Sequence, residues 1–375
     1  MATKASPLRR GWTTGTCATA AAKAAYTALL TGEFPDPVEV TLPRGGGRPA
    51  FALATTVRGE GSATAGVVKD AGDDPDVTHG ALVLTTVRRG AQGSGVSFRA
   101  GEGVGTVTRA GLPVPPGEPA INPVPRQMIR AAIAEIAAAN GDPGDVEVEI
   151  AIPGGEALAA KTMNGRLGII GGLSILGTTG IVIPYSCSSW IQAIRSGIDV
   201  ARAAGLTHVA GSTGAESERA VQRMCGLPEI ALIDMGDFVG GMLKYLRSHP
   251  VPRVTIAGGV GKMTKLAQGL LDLHSKRGSV DLVALAKLAK RAGGSRDLAA
   301  YILTANTAVE AFVHAEAEGV ALGDEVASVA REAATAVVAG KDIEIEVVLF
   351  DREGRLVGRA PFAASHAAPP RKRRR

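Results

Sequence analysis

The spacing of apolar and polar positions changes several times along the chain, and each change predicts a different kind of element. From Val38 to Thr108, short runs rich in β-branched residues are separated by Gly and Pro, which indicates a sheet of short strands. Prolines at the start and Asn140-Gly141 at the end mark a helix from Pro123 to Asn140. The alternating run from Val146 to Ile152 predicts a further strand.

The middle of the chain, from Leu167 to Leu273, alternates strands with helices. The strands are nearly continuous in apolar residues, and this alternation calls for a parallel sheet covered on both faces. The predicted strands are Leu167 to Ile170, Thr207 to Ala210, Glu229 to Ile233 and Arg253 to Ala257. The predicted helices are Ser188 to Ala204, Ala215 to Cys225, Asp237 to Arg247 and one that begins at Gly261.

Beyond Leu273 the pattern becomes helical and then returns to strands. The predicted helices are Val280 to Arg291, Thr304 to Glu318 and Leu322 to Ala339, followed by a strand from Ile343 to Leu349, a turn and a last strand. We expect this final pair to return to the first sheet. The predicted fold is therefore a discontinuous α+β domain, residues 1–163 and 274–365, with an inserted α/β domain, Rossmann-like with a mostly parallel sheet, at residues 164–273.

Composition limits which residues can build the cores and which partners the chain is expected to bind. A chain of 375 residues can hold two domains, and 49 glycines with 3% aromatic residues leave Ala, Val, Leu and Ile to build the cores. The formal charge of +5 is supplied by residues 371–375 alone. We therefore expect residues 366–375 to be a disordered basic tail and predict no nucleic-acid partner.

Cysteine usage and hydropathy bear on location. The cysteines Cys17, Cys187 and Cys225 share no CxxC spacing and leave one unpaired in any scheme, which argues for a reducing compartment. No apolar run is as long as a membrane span, and the N-terminus has no hydrophobic signal core. A cytoplasmic protein without a membrane partner is expected. The oligomeric state stays open, with a homo-oligomer as one option.

A glycine-rich stretch in the central region has the features of a ligand-binding loop. The spacing Gly172-x4-Gly177, followed by Thr178 and Thr179, comes close to a phosphate-binding P-loop but lacks the lysine after the second glycine. With Gly171, these residues are candidates for cofactor binding. Two alternatives remain open, a nucleotide-binding phosphotransferase and glycines that only permit close packing.

The later strands of the predicted parallel sheet also end in glycine-containing turns, at the edge where open α/β sheets bind ligands. Asp234 ends the strand after the first of these turns, at the place where a dinucleotide-type fold puts a carboxylate on a ribose. The glycine fingerprint itself is missing, so helix-packing turns and a surface carboxylate remain an equal alternative. The other candidates for an adenosine-bearing ligand are Gly211, Thr213, Gly214, Gly258 and Gly261.

The segment Thr13 to Cys17 opens a helix that runs to Gly32. Thr14 or Thr16 can cap the amide groups of the first turn, and the same amides can instead hold an anion. A helix start also lowers the pKa of a thiol, which makes a reactive Cys17 conceivable. No His partner lies nearby in the sequence, and covalent catalysis is not predicted.

The loop from Lys69 to Gly80 concentrates carboxylates beside a histidine. Its side chains suit an oxygen-rich metal site, a general base or contacts to a polar substrate, and a solvated turn is the remaining alternative. The EF-hand pattern fails because a proline occupies the middle of the loop and no Glu closes it, and we predict no metal ligands. The titratable residues are Asp70, Asp73, Asp74, Asp76 and His79.

Four of these stretches together resemble the CbiD family: residues 11–23 with the Thr-Thr-Gly-Thr-Cys opening, the loop 69–80, residues 166–182 and Gly258-Gly-Val-Gly-Lys262. The likeness covers nearly the whole chain apart from its C-terminal tail. The resemblance implies a cobalt-precorrin-5B C1-methyltransferase of anaerobic cobalamin synthesis. Such an enzyme moves a methyl group from S-adenosyl-L-methionine to carbon 1 of a cobalt-containing tetrapyrrole, giving cobalt-precorrin-6A and S-adenosylhomocysteine.

The resemblance also suggests roles for the candidate residues. The glycine turns would hold S-adenosyl-L-methionine as co-substrate, with Asp234 on its ribose. Asp70, Asp74 or His79 would accept the proton lost as the new carbon bond forms, or orient the macrocycle. The carboxylates of the tetrapyrrole would receive charge-assisted bonds from Arg166, Lys262, Lys265 and the helix start Thr13, Thr14, Thr16 and Cys17.

Overall fold

The computed structural model describes residues 7–364, which divide between Cys187 and Ser188 into two compact units. Each unit has its own sheet and its own apolar core. This division differs from the predicted bounds, which began an inserted domain at Asn164 and ended it at Leu273. The predicted tail, residues 366–375, lies outside the described residues. Within residues 7–364, no helix is long and apolar enough to cross a membrane.

The first unit combines short strands with a mostly antiparallel sheet. Its helices are α1 (Thr14–Thr31), α2 (Pro123–Asn140), α3 (Gly155–Ala159) and α4 (Asn164–Leu167). Its strands are β1 (Gly11–Trp12), β2 (Val38–Glu39), β3 (Ala50–Phe51), β4 (Thr55–Gly59), β5 (Ser62–Val68), β6 (Leu82–Arg89), β7 (Val96–Ala100), β8 (Thr106–Val107), β9 (Val146–Ala151), β10 (Ile169–Ile170) and β11 (Ile181–Val182). Strands β4, β5, β6, β9 and β7 lie side by side in that order, and only β7 and β9 run parallel. The predicted sheet of short strands is confirmed, and α2 has the predicted bounds.

Helix α1 fills the centre of this unit. Every residue from Thr14 to Tyr26 is buried, and α2, β5 and β6 pack around the helix. Its many alanines suit this position, because small side chains let neighbouring elements approach on all sides. Gly32 ends the helix as predicted, with φ of 87° and its N–H bonded to the Ala28 carbonyl oxygen at 2.9 Å.

The stretch predicted as the first parallel strand belongs instead to the first unit. Helix α4 occupies Asn164–Leu167, and Gly168 turns the chain with φ of 76°. The remaining β10 pairs antiparallel with β8 rather than with the parallel sheet. Only Ile169 and Ile170 of the predicted strand from Leu167 to Ile170 are a strand, and they do not join the parallel sheet, because the left-handed glycine breaks the apolar run.

The second unit is an α/β sheet covered by helices. Its strands are β12 (His208–Ser212), β13 (Leu232–Asp234), β14 (Arg253–Gly259), β15 (Glu344–Phe350) and β16 (Leu356–Ala364). Its helices are α5 (Cys187–Ala203), α6 (Ala215–Cys225), α7 (Val239–Ser248), α8 (Val260–Ala267), α9 (Leu282–Arg291), α10 (Arg296–Thr304), α11 (Ala308–Ala317) and α12 (Leu322–Val337). The strand order is β13-β12-β14-β15-β16, with the first four strands parallel and β16 antiparallel to β15.

The final pair of strands does not return to the first sheet. Strand β15 runs parallel to β14 along its whole length, from Arg253↔Glu344 to Gly259↔Phe350. Residues 345–350 are all buried, as expected of an inner strand of a covered parallel sheet. The expectation of a discontinuous first domain is therefore wrong, since α9 to α12 and the last two strands complete the second unit.

Candidate active site

The strand order of the second unit reverses beside β12. The chain goes from β12 to β13 on one side, and then to β14 on the other side of β12. The loops that follow β12 and β14 therefore leave the sheet in different directions at its carboxyl edge. Open α/β sheets form a ligand crevice at such a reversal. The loops lead directly into α6 and α8, so the first amide groups of both helices lie at this edge.

Two of the predicted glycines in these loops are needed for packing. A Cβ added to Gly211 would contact the sulfur atom of Met242. A Cβ added to Gly258 would lie 2.7 Å from Cε of Met263 and 2.9 Å from Oγ1 of Thr213. Both positions therefore require glycine for a close approach of neighbouring side chains, as the packing alternative proposed.

The other two predicted glycines face open space. A Cβ added to Gly214 or Gly261 would meet no heavy atom within 4 Å. Gly214 precedes the first residue of α6 with an extended backbone, and Gly261 is the second residue of α8. Open backbone at two helix starts gives a polar ligand access to N–H groups.

A buried hydroxyl lies between these features. Ser212 is 1% exposed, and its Oγ has no hydrogen-bond partner among the described residues. Thr213 joins the loop after β12 to strand β14, because its backbone N–H donates to the Ala257 carbonyl oxygen at 3.0 Å. An unpartnered buried hydroxyl costs about 1–3 kcal/mol, so Ser212 is a candidate ligand contact. Ser212 was not predicted, because a serine inside a Gly-Ser-Thr-Gly turn has no periodic signal.

Asp234 lies beside Ser212 at the same edge. The two residues are paired across β12 and β13, which fulfils the expected placement of Asp234 at a strand end. Its carbonyl oxygen accepts a hydrogen bond from the Trp190 Nε1 at 3.0 Å. The indole also covers Gly236, where an added Cβ would lie 2.9 Å from the ring, while 45% of the tryptophan stays exposed. Trp190 was not predicted, because no residue near it in the sequence belongs to the crevice.

The two lysines predicted to contact substrate make internal contacts. Nζ of Lys262 lies 2.9 Å from the Thr213 carbonyl oxygen and 3.0 Å from Oδ1 of Asp237. Lys262 thereby connects the loop after β12 to the loop after β13. Nζ of Lys265 donates to the Leu273 carbonyl oxygen at 3.0 Å. These contacts give both lysines a positioning role, while a direct bond to substrate remains a prediction.

In the first unit, the start of α1 is covered by a loop from the glycine-rich stretch. Gly15 donates its N–H to the Leu176 carbonyl oxygen at 3.1 Å, and the hydroxyl of Thr16 donates to the Gly180 carbonyl oxygen at 2.8 Å. The side chain of Thr13 caps the helix by accepting from the Thr16 N–H at 3.3 Å. Thr13, Thr14, Thr16 and Cys17 are all buried. The cap is therefore Thr13 rather than the predicted Thr14 or Thr16, and the contacts favour capping over anion binding.

Cys17 is a poor nucleophile in this position. Its side chain is fully buried, and burial raises the pKa of the thiol to about 12 despite the opposing charge of Lys69. The thiol is therefore protonated at neutral pH. This agrees with the expectation that covalent catalysis does not occur at Cys17.

The glycine-rich stretch does not form a phosphate cradle. A Cβ added to Gly172 would contact the backbone of Gly103, and one added to Gly177 would contact the side chain of Thr13, so both serve packing. The next helix begins only at Cys187. The phosphotransferase alternative is therefore unsupported. Gly171 has open space around it, and Thr178 and Thr179 are exposed.

The carboxylates of the acidic loop are occupied by nearby groups. The guanidinium of Arg9 forms an ion pair with Asp70 and, with the Gly72 N–H, lowers the pKa of this carboxyl. Asp73 accepts from the Arg9 backbone N–H at 2.6 Å. Asp74 accepts from the backbone N–H of Tyr185 at 2.8 Å. The loop therefore contacts the chain both before α1 and after β11.

The rest of the loop is organised by a buried lysine. Lys69 is 3% exposed and bonds to Asp76 and Thr78. Burial acts to raise the pKa of Asp76, but the charge and hydrogen bond of Lys69 outweigh it and lower this pKa. Nδ1 of His79 accepts from the Ala71 N–H at 3.1 Å, which puts the proton of the neutral ring on Nε2. Nδ1 of His79 is therefore occupied by the backbone of the loop itself.

The predicted site residues fall into two groups, one in each unit. The first unit contains Asp70, Asp74, His79, the start of α1, the residues 171–179 and Arg166, whose carbonyl oxygen accepts from Nη1 of Arg109 at 2.8 Å. Within it, Trp12 donates its N–H to the Asp70 carbonyl oxygen at 2.7 Å, which joins the acidic loop to the strand before α1. The second unit contains Gly211, Thr213, Gly214, Asp234, Gly258, Gly261, Lys262 and Lys265 at the carboxyl edge.

These features describe an α/β protein whose parallel sheet has a reversal of strand order at its carboxyl edge, and comparison with known proteins identifies its family. The family model described as CbiD matches residues 1–184, and the model described as CbiD, C-terminal domain, matches residues 272–361. The chain belongs to the CbiD family.

Its relatives include two proteins named cobalt-precorrin-5B C(1)-methyltransferase. The one from Agrobacterium fabrum is 64% identical over 370 residues, which cover 99% of this chain and 97% of the relative. The one from Bradyrhizobium sp. strain BTAi1 is 62% identical, covering 98% and 97%. A solved structure, the cobalamin biosynthesis protein CbiD from Archaeoglobus fulgidus, is 29% identical with a TM-score of 0.40, covering 72% of this chain and 83% of its own.

Proposed function

We propose that this chain transfers the methyl group of S-adenosyl-L-methionine to carbon 1 of cobalt-precorrin-5B, in the cytoplasm. The products are cobalt-precorrin-6A and S-adenosylhomocysteine, and the reaction belongs to cobalamin biosynthesis. The observation that carries this proposal is the 64% identity, over 99% of the chain, with a relative that bears the name of this activity.

The reaction is an in-line displacement. The electron pair of carbon 1 forms the new bond to the methyl carbon, the bond from this carbon to sulfur breaks, and sulfur keeps the electron pair as a neutral thioether. Because positive charge on sulfur disappears, the reaction needs alignment and exclusion of water more than strong acid or base chemistry. A rigid crevice with accessible backbone groups suits the requirement for alignment.

We assign the methyl donor to the carboxyl edge of the second unit. Gly214 and Gly261 leave room for a ligand to contact the protein backbone. The hydroxyl of Ser212 is available as a buried hydrogen-bond donor. Asp234 is the candidate ligand of the ribose hydroxyl groups. The exposed face of Trp190, fixed by its bond to the Asp234 carbonyl oxygen, is suited to packing against the adenine ring.

The contacts of the acidic loop favour Asp74 as the proton acceptor among the three candidates. Asp70 has a lowered pKa because it faces the Arg9 guanidinium, which makes it a weaker base. Nδ1 of His79 is occupied by the Ala71 N–H. Asp74 is held by one uncharged backbone N–H.

The direct test is an assay of the purified chain with cobalt-precorrin-5B and isotopically labelled S-adenosyl-L-methionine. We expect mass spectrometry to find one labelled methyl group in the tetrapyrrole, and NMR to place it at carbon 1. A label at any other carbon, or none in the tetrapyrrole while a known homologous enzyme is active in parallel, would contradict the proposal.

A further inference from the structure

Three side chains with metal-binding donor atoms converge on one face of the second unit's sheet, near the amino ends of the strands. His208 is the first residue of β12, Cys225 is the last residue of α6, and Glu346 lies in β15. One donor atom of each lies within 4.8 Å of the others. Across residues 7–364, this is the only group of three His, Cys, Asp or Glu side chains with that property.

The surroundings of Glu346 are unusual for a strand of a covered parallel sheet. The residue is fully buried, and a carboxylate there is stable only when it is paired. Nε of Arg359 donates to Oε1 at 2.8 Å and so satisfies one of the two oxygens. The second oxygen, Oε2, accepts from the hydroxyl of Thr255 at 2.7 Å.

The same threonine hydroxyl is the meeting point of the other two side chains. Oγ1 of Thr255 lies 2.8 Å from Nε2 of His208 and within hydrogen-bond reach of the Cys225 thiol. The hydroxyl of Thr255 is therefore surrounded by a carboxylate oxygen, an imidazole nitrogen and a sulfur atom. Residues from a strand, a helix end and another strand supply these donors, so the fold itself brings them together.

We propose that His208, Cys225 and Glu346 bind one divalent cation of the zinc type. Nitrogen, sulfur and carboxylate oxygen are the ligands that zinc prefers, and Thr255 or a water molecule completes four-coordination. The thiolate and the carboxylate supply two negative charges to the cation, Arg359 stays paired with the other carboxylate oxygen, and the proton of the thiol leaves to solvent. Zinc-to-ligand distances of about 2.0–2.3 Å require the three side chains to close by roughly 1 Å around the metal.

The proposal is tested on the full chain, freed of metal by a chelator, with Co²⁺ as a spectroscopic probe and no tetrapyrrole present. We expect one equivalent of Co²⁺ to produce thiolate-to-metal charge-transfer absorption, and one equivalent of Zn²⁺ to abolish it by displacement. Cys225→Ser is expected to lose this absorption. The matched control, Cys187→Ser, changes an exposed cysteine outside the cluster and is expected to keep it.

Circular dichroism establishes that each variant is folded. If Cys225→Ser does not fold, His208→Asn serves instead, with a loss of Co²⁺ affinity of at least roughly tenfold expected for removal of a ligand. Absence of thiolate-to-metal absorption in the unchanged chain would overturn the proposal. Absorption that persists in folded Cys225→Ser, or a Co²⁺ affinity that is unchanged in His208→Asn, would also overturn it. The three residues would then be a hydrogen-bonded cluster around Thr255. The readout involves no methyl transfer, so it is independent of the proposed function.

Discussion

Nζ of Lys262 lies 3.0 Å from Oδ1 of Asp237, and the same nitrogen donates to the Thr213 carbonyl oxygen at 2.9 Å. One ammonium group on α8 thus holds the loops that follow β12 and β13. The loop after β12 contains the candidate donor contact Gly214, and the loop after β13 directly follows the candidate Asp234. The pair therefore links the packing of the second unit to the shape of its crevice.

Replacing this lysine should weaken both the fold and the binding of the donor. Lys262→Met leaves a buried oxygen of Asp237 without its cation, and we expect the free energy of unfolding to fall by about 1–3 kcal/mol. We also expect at least roughly tenfold weaker binding of S-adenosylhomocysteine, a difference of about 1.4 kcal/mol. Lys265→Met is the matched control on the same helix, because it contacts Leu273 rather than the crevice loops. Equal loss of affinity in both variants would contradict this role.

The acidic loop offers a test of proton transfer. Asp74→Ala removes the proposed proton acceptor, and we expect kcat for methyl transfer to fall by about 10²-fold or more. Asp73→Ala is the control, since that carboxylate lies one residue away and accepts from the Arg9 N–H. Single-turnover rates of the two variants at one pH separate the roles. If both keep the rate of the unchanged chain, Asp74 is not the acceptor.

Stability at acidic pH should depend on Asp142. Burial acts to raise the pKa of this carboxyl, but hydrogen bonds from Tyr26, Arg89 and the Gly144 N–H outweigh it and lower the pKa to about 2. An unfolded chain has an Asp pKa of about 3.9, so this contribution is complete above about pH 4 and is lost as the pH falls toward 2.

The measurement is urea unfolding of the unchanged chain and Asp142→Asn at pH 6 and near pH 2. We expect the variant to be less stable by about 1–2 kcal/mol at pH 6 and the difference to shrink near pH 2. A difference that stays constant across this range would show that the carboxylate charge is not the cause.

Cysteine reactivity should follow burial. Because the pKa of Cys17 is raised to about 12, we expect no alkylation of it by iodoacetamide at pH 8 in the folded chain. Cys187 is exposed and should react. Peptide mass spectrometry after brief labelling distinguishes the two, and unfolding in urea should make Cys17 reactive. Labelling of folded Cys17 at the rate of Cys187 would contradict its burial.

Local signals predicted much of the second unit. The helix from Ala215 to Cys225 has the predicted bounds, and β12 and β14 lie close to the predicted strands. The predicted strand from Glu229 to Ile233 is only partly correct, because Glu229–Ala231 forms a 3-10 helix and β13 begins at Leu232. Glycines lie at or just after the ends of these strands, as predicted. Those signals are readable because a parallel strand is covered on both faces and its carboxyl end must turn within a few residues.

The errors concern which strands pair, a property that local sequence does not encode. Residues 344–350 read as a strand in any context, and only pairing with β14 assigns them to the second unit. The sequence at the start of α1 fits threonine caps and anion ligands equally well. The contact that favours capping is the hydrogen bond from the Thr16 hydroxyl to the Gly180 carbonyl oxygen, which joins residues distant in sequence. Contacts between residues distant in sequence likewise define the candidate roles of Ser212, Trp190 and the cluster around Thr255.

We propose that the methyl donor binds at the carboxyl edge of the second unit. Calorimetric titration with S-adenosylhomocysteine tests it on the unchanged chain, Gly214→Val and Asp234→Ala. We expect the unchanged chain to bind and both variants to lose binding, with Gly214→Val keeping its melting temperature because the added side chain enters open space. Binding that is unaffected in both folded variants would contradict the account and place the donor elsewhere.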